Sequence, residues 1–341
     1  MSLVNCALCP HVFHSPGQRG LKQAECAFPV DAVYTWVDGS DPAHAAKRAR
    51  YLTGNVGSES KHSNVSPLFR DNEELRYSLR SLTAYAPWIR RIFIITDAQK
   101  PKWLRADNPR LSFVDHTQII PPHCLPTFNS HVIESYLHRI PDLAEHYIYF
   151  NDDCFLTAKA VPGDFFTSNG LPFLFMDWRA SRREGYENTH TPHARSWFNT
   201  RAELARRGVA PAPEIITAHI PFAQTKSNAE AVFSFFADAI ADFSHNKFRT
   251  TEEMAFYCHA ASLWCFAMKK AVPCDVAYWY VNTKRRNRRS VYAALLAQKN
   301  SAFAPLFLCL NDVSPGTWAF FWRRSLIKFL QQYFPLPSPF E

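Results

Sequence analysis

No apolar run in this 341-residue chain approaches the roughly 20 residues that span a bilayer, so a membrane-crossing helix is excluded. The opening MSLVNCALCPHVFHSPGQRG has no basic segment followed by an unbroken apolar stretch, and no signal peptide is expected. Internal repeats and low-complexity tracts are missing. So is any nucleic-acid-binding motif, which argues against nucleic acid as the partner. The nine cysteines are an odd number, mostly scattered inside apolar segments. That speaks against a disulfide framework and fits the reduced thiols of a cytosolic protein. Cys6, Cys9, His11 and His14 have a zinc-like look, but no second CxxC or well-spaced His pair follows. They read as an incidental part of an N-terminal tail over residues 1–29.

What is present is material for a core. Hydrophobic residues make up 47% of the chain and aromatics 15%, enough for one large domain or two ordinary ones. Lys and Arg outnumber Asp and Glu by 38 to 30, a net charge of +8, which favours anionic partners without choosing among them.

Val30 to Val37 is rich in β-branched and aromatic residues and predicts a strand, followed by a tight turn at Asp38-Gly39-Ser40-Asp41-Pro42. Leu52 to Pro67 lacks periodicity and reads as a mobile loop. In RDNEELRYSLRSLTAYAPWI, Leu75, Leu79 and Leu82 recur at helical spacing, with Asp71 or Asn72 as cap and Pro87 as terminator. RRIFIITDAQ, LSFVDH and HYIYFNDD predict three more strands, and NSHVIESYLHRI a helix capped by Asn129 or Ser130. This order implies an α/β domain with a largely parallel sheet, in which ligands bind beyond the carboxyl ends of the strands. AEAVFSFFADAIADF and TEEMAFYCHAASLWCFAMKK read as helices. TKRRNRRS is a basic run that either guides an anionic chain or is a solvated face. The aromatic and basic segment from Trp318 onward reads either as a packed terminal helix or as a helix lying on an acidic leaflet.

Asp38 and Asp41, Asp97, and Asp152 and Asp153 each follow a predicted strand, so they converge on one crevice if the sheet is parallel. Adjacent Asp residues there suit a hard divalent cation. Taken alone, NDD also reads as a turn that caps the next element. His219 reads first as structural, and Arg249 as a solvated charge.

Longer blocks carry more information. VDAVYTWVDGSDPAH, FRDNEELRYSLRSLTAYAPWIRRIFIITDAQKPKWL, VDHTQIIP, LPTFNSHVIESYLHRIPDLAEHYIYFNDDCFL, AHIPFAQTK with FRTTEEM, and FLCLND with the ending FPLPSPFE resemble the Stealth family of sugar-phosphate transferases across most of Val30–Glu341. The resemblance implies a Rossmann-like α/β fold like that of nucleotide-sugar transferases. Residues 30–160 would form the nucleotide-sugar-binding core, and a helical part over 161–341 would complete the catalytic domain 30–341. It implies transfer of a hexose 1-phosphate, often an N-acetylhexosamine phosphate, from a UDP-sugar to an acceptor hydroxyl, with UMP leaving. Carried over residue by residue, it implies Asp41, Asp153, His219 and Arg249 as catalytic. Asp38, Arg70, Asn72, Glu74, Arg76 and Asn311 are implied as substrate-binding, and Asp97 joins them by its place at a strand end. Asp152, Asp153 and Asp312 are implied as ligands of Mg2+ or Mn2+. The expected partners are a UDP-sugar donor and an anionic polysaccharide or oligosaccharide acceptor. The expected place is the cytoplasm, with peripheral attachment to the inner face of the bacterial plasma membrane left open. The rival expectation is a metal-dependent glycosyltransferase that makes a glycosidic bond and releases UDP.

Overall fold

A computed structural model describes residues 12–13, 27–52, 66–105, 107–177, 191–210, 216–282, 288–301, 304–311 and 319–341. The strands are β1 (Val12–Phe13), β2 (Val30–Thr35), β3 (Ile92–Thr96), β4 (Leu111–Asp115), β5 (His146–Asn151), β6 (Cys154–Leu156), β7 (Phe173–Phe175), β8 (Phe222–Thr225), β9 (Val272–Cys274), β10 (Tyr278–Asn282) and β11 (Phe307–Asn311). The main sheet has the order β4-β3-β2-β5-β8; its first four strands are parallel and β8 runs against β5. The chain builds outward from β2 to β4, then returns to add β5 on the other side of β2. A crevice opens where the order reverses, at the carboxyl ends of β2 and β5.

The four parallel strands are near-continuous apolar runs because both faces of the sheet are covered. Side chains alternate between those faces. Val33, Phe93, Ile95, Tyr147 and Tyr149 join one core cluster. Ala32, Tyr34, Ile94, Ile148 and Phe150 join another, against Leu75, Leu79 and Leu82 of the helix Glu74–Tyr85. That helix ends at Tyr85, just before Pro87. Its expected cap differs. Glu73 is the cap residue, in a left-handed conformation and without a side-chain cap bond. Asp71 accepts from the Glu73 N–H at 2.8 Å, and the Asn72 amide is taken by the Glu74 carboxylate at 2.7 Å.

A second sheet, β1-β10-β11-β6, takes three of its four strands from the chain after β5, and β7 pairs with β9. The part after residue 160 thus carries strands as well as helices. The apolar stretch read as one helix is two, Lys226–Phe235 and Ala237–Ser244, and the next begins as a π-turn at Phe256–Ala261. In the tail, Val12–Phe13 pairs with Tyr278 and Trp279. The cysteine–histidine group at residues 6–14, most of the loop after Leu52 and the basic residues 283–287 lie outside the described residues. The helix Ala319–Tyr333 is packed, with Leu326, Phe329, Leu330 and Tyr333 in a cluster with Phe155 and Trp279. Among the described residues no helix is long and apolar enough to cross a membrane.

Glu341 fastens the final segment to the helix Glu74–Tyr85. Its carboxylate accepts from Arg76 Nε at 2.6 Å, from Arg80 Nε at 2.7 Å and from the Ser338 N–H at 2.9 Å. Burial pushes the Glu341 carboxyl up, but Arg80, the Ser338 N–H and Arg76 outweigh it and hold it at about 2. A depressed carboxyl stabilises the fold in full above its ordinary value of 4.5, and that contribution fades as pH falls towards 2. Glu341→Gln is therefore expected to cost about 2–3 kcal/mol at neutral pH. The difference from the parent should close near pH 2. Denaturant unfolding of both proteins at the two pH values checks it.

Candidate active site

A cleft of about 280 Å3 lies at the carboxyl ends of β2, β3 and β5. β2 delivers Thr35 and Trp36 to its wall, β3 delivers Asp97, and the turn after β5 delivers Asn151, Asp152 and Asp153. Arg70 and Glu74 enter from the segment leading into the helix Glu74–Tyr85. That segment is pressed against the first turn: the Gly39 N–H donates to the Phe69 carbonyl at 2.7 Å, and a Cβ on Gly39 would lie 2.4 Å from that oxygen. Only glycine allows this approach. His219 comes from the segment before β8, Arg249 from the loop before Glu253, and Asn311 from the end of β11.

The acidic turn is short because it joins two sheets. β5 ends at Asn151 and β6 starts at Cys154, so Asp152 and Asp153 occupy the whole link. The Asp153 carbonyl accepts from the Leu310 N–H at 3.0 Å, which ties the turn to β11. The Asp153 carboxylate lies 3.7 Å from His219 Nε2. Burial pushes Asp153 up, but His219 and the thiols of Cys154 and Cys309 outweigh it and hold its carboxyl below the usual range. Burial pulls His219 down, but Asp153 and Glu134 outweigh that and raise it. Asp152 behaves oppositely: burial, Glu74, Asp153 and Asp71 all push it well up. Glu74 is raised by burial and by Asp71, against the opposing bonds from Asn72. Asp152, Asp153 and Glu74 bring hard carboxylate oxygens into the cleft.

Arg249 is positioned from behind. Glu253 is fully buried and collects Asn129 Nδ2 at 2.9 and 3.0 Å, Asn246 Nδ2 at 3.0 Å, the Thr250 N–H at 3.1 Å and His131 Nδ1 at 3.1 Å. These bonds fold residues 246–253 into a tight loop, and Arg249 donates from it to Ser130 Oγ.

Of the residues named from sequence, Asp152, Asp153, His219, Arg249, Arg70, Glu74, Asp97 and Asn311 line this cleft. Asp97 is ion-paired with Lys47 at 2.7 Å. The others are placed elsewhere. Asp41 caps the helix Pro42–Ala49, accepting from the His44 N–H at 2.8 Å. Asp38 Oδ1 closes its own turn onto Ser40, at 2.9 Å to the N–H and 2.6 Å to Oγ. Asn72 is buried on Glu74. Arg76 points to Glu341 and Glu73. Asp312 lies outside the described residues. Sequence reasoning missed His44, His116, His131, Glu134 and His193 in the lining. Glu134 Oε2 and His44 Nδ1 are buried without a hydrogen-bond partner among the described residues. The one available signal was the NSHVIES helix, whose Asn129 cap sets His131 and Glu134 three residues apart on one face.

Comparison with known proteins places the chain in a family. Residues 28–56 match Stealth protein CR1, conserved region 1, and residues 68–174 match Stealth protein CR2, conserved region 2. A capsular polysaccharide phosphotransferase of Actinobacillus pleuropneumoniae is 34% identical over 308 residues, 89% of this chain and 82% of that protein. This chain belongs to the Stealth family. Another relative, from Neisseria meningitidis and of the same description, is 32% identical and covers 91% of this chain and 84% of its own length. An exopolysaccharide phosphotransferase of Streptomyces coelicolor is 37% identical over 92% of this chain, which spans only 52% of that relative's length. Among solved structures, the galactosyltransferase LgtC in complex with donor and acceptor sugar analogues is 12% identical. It covers 88% of this chain and 95% of its own, at a TM-score of 0.42. All of the acidic turn and its flanking strands fall within the second matched region, while His219 and Arg249 fall beyond both.

Proposed function

We propose that this Stealth protein transfers a hexose 1-phosphate, of the N-acetylhexosamine class, from a UDP-sugar to a hydroxyl of a capsular or exopolysaccharide acceptor. The single observation that carries this reading is the meeting of Asp152, Asp153, His219 and Arg249 in one cleft, with His219 Nε2 3.7 Å from Asp153. These groups come from three segments far apart in the chain, and the fold brings them to the switch point of the sheet. The names of the relatives support the same class of chemistry.

In this reading the acceptor oxygen attacks the sugar-bearing phosphorus, the bond from that phosphorus to the bridging oxygen breaks, and UMP leaves. His219 takes the hydroxyl proton, with Asp153 fixing the ring and steadying the imidazolium. Asp41 is the weaker candidate for this role, because its carboxylate caps a helix. Arg249 holds the equatorial phosphate oxygens through its planar fork. Asp152 and Asp153 are the residues that would hold Mg2+ or Mn2+, which when bound would screen the charge of the diphosphate. Glu134 and His44 offer polar atoms to the sugar.

The test is nucleotide release by the purified chain with a panel of UDP-sugars, Mg2+ and a short phospho-oligosaccharide primer. UMP and a phosphodiester resonance in the phosphorus NMR spectrum of the product are expected. Release of UDP with no phosphodiester would overturn the assignment in favour of a glycosyltransferase.

A further inference from the structure

We propose that Asp153, Cys154, His219 and Cys309 form a binding site for a soft divalent cation of the zinc class, and that its occupation switches the cleft off. The starting point is strand register. β6 and β11 are antiparallel, with Cys154 directly opposite Cys309. Hydrogen bonds from Leu310 N to the Asp153 carbonyl and from Thr157 N to the Leu306 carbonyl, each 3.0 Å, mark the hydrogen-bonded pairs on this ladder. Counting between them, Cys154 and Cys309 form a non-hydrogen-bonded pair, whose Cα atoms approach to about 4.5 Å with both side chains on one face. That face carries the acidic turn. Cys154 Sγ lies 3.6 Å from Asp153 Oδ1, and Cys309 Sγ lies 3.6 Å from Asp153 Oδ2. His219 Nε2 closes the group at 3.7 Å from Oδ1.

One ligand atom from each of the four residues lies within 4.8 Å of all the others. A tetrahedral zinc with bonds of about 2.0 Å to N and O and about 2.3 Å to S has ligand–ligand edges of about 3.3–3.8 Å. The three distances to Asp153 already fall in that range, and the remaining ones, up to 4.8 Å, have to contract by about 1 Å. The donor set, two thiols with an imidazole and a carboxylate, suits zinc and not Mg2+, which takes hard oxygen ligands. Both cysteines are free and buried, while Asp153 and His219 keep 19% and 33% of their side chains exposed, so a cation enters from the cleft. Binding replaces two S–H protons by two metal–sulfur bonds and expels the protons. No oxidant or reductant is needed.

The switching half rests on the proposed roles of His219 and Asp153 in the transfer reaction; the binding half does not. A cation held by both takes the base and its partner out of use.

Cobalt is the probe. Titration of the full chain with Co2+, without substrate, should show one site with a thiolate-to-metal charge-transfer band and the intense visible bands of tetrahedral cobalt, both bleached by Zn2+. Cys309→Ser and Cys154→Ser should each weaken binding at least 10-fold, and Cys309→Ala, with circular dichroism as the check on folding, should do the same. Cys6→Ser with Cys9→Ser should leave the spectrum unchanged. A spectrum without the thiolate band, or one lost with Cys6 and Cys9 instead, would overturn the site. Turnover, followed as UMP release in excess Mg2+, should stop at one equivalent of Zn2+ and return with a chelator. Undiminished turnover with zinc bound would overturn the switch. An intact cobalt spectrum in a protein that turns over no UDP-sugar would count against the transferase reading alone.

Discussion

His219→Ala is expected to lower the rate of UMP release by about 10²- to 10⁴-fold, the range for loss of a positioned general base. The fold should survive the change, because the ring lines the cleft and one-third of its side chain is exposed. The pH profile carries further information. A base works in its neutral form, and His219 is raised above 6.5, so kcat/KM should climb with pH through a midpoint above that value. Burial alone would pull the imidazole down; the Asp153 carboxylate 3.7 Å away is what lifts it. In Asp153→Asn the His219 imidazole should therefore titrate at lower pH. That shift is read by NMR on the resting protein and does not depend on turnover. Full activity in His219→Ala, or an imidazole midpoint unmoved in Asp153→Asn, would remove this pair from the reaction.

Arg249→Lys is expected to cost about 10³-fold in kcat, with kcat/KM falling equally, as for a contact made only in the transition state. Lysine keeps the charge and loses the planar fork. The supporting loop is built for a fixed guanidinium: four residues converge on Glu253 to hold it, and Ser130 accepts from Arg249 itself. A change that raised KM and left kcat intact would assign Arg249 to ground-state binding of the donor. Nucleotide-release kinetics over a range of UDP-sugar concentrations separates the two.

The parallel strands and their acidic ends were legible in the sequence because strands buried on both faces need unbroken apolar runs, and their carboxyl ends mark the crevice. That logic put Asp152 and Asp153 at the crevice but left a plain capping turn open, and His219 and Arg249 required the family resemblance, since a lone His and a lone Arg carry no local signal. Other features could not be seen. β6 is only three residues long, and its pairing with β11 joins residues 155 apart in the chain, as between Cys154 and Cys309. Asp41 before Pro42 is equally a catalytic acid and the start of a helix, and the structure uses it as a cap. Arg76 was grouped with Glu74, yet residues two apart on a helix do not share a face. Glu74 turns to the cleft and Arg76 to Glu341.

The two-residue link between β5 and β6 joins the two sheets directly. Its carboxylates ride on the junction between sheets, with one end anchored in β5 and the other pinned through β11. Neither sheet can tilt against its neighbour without moving both acids.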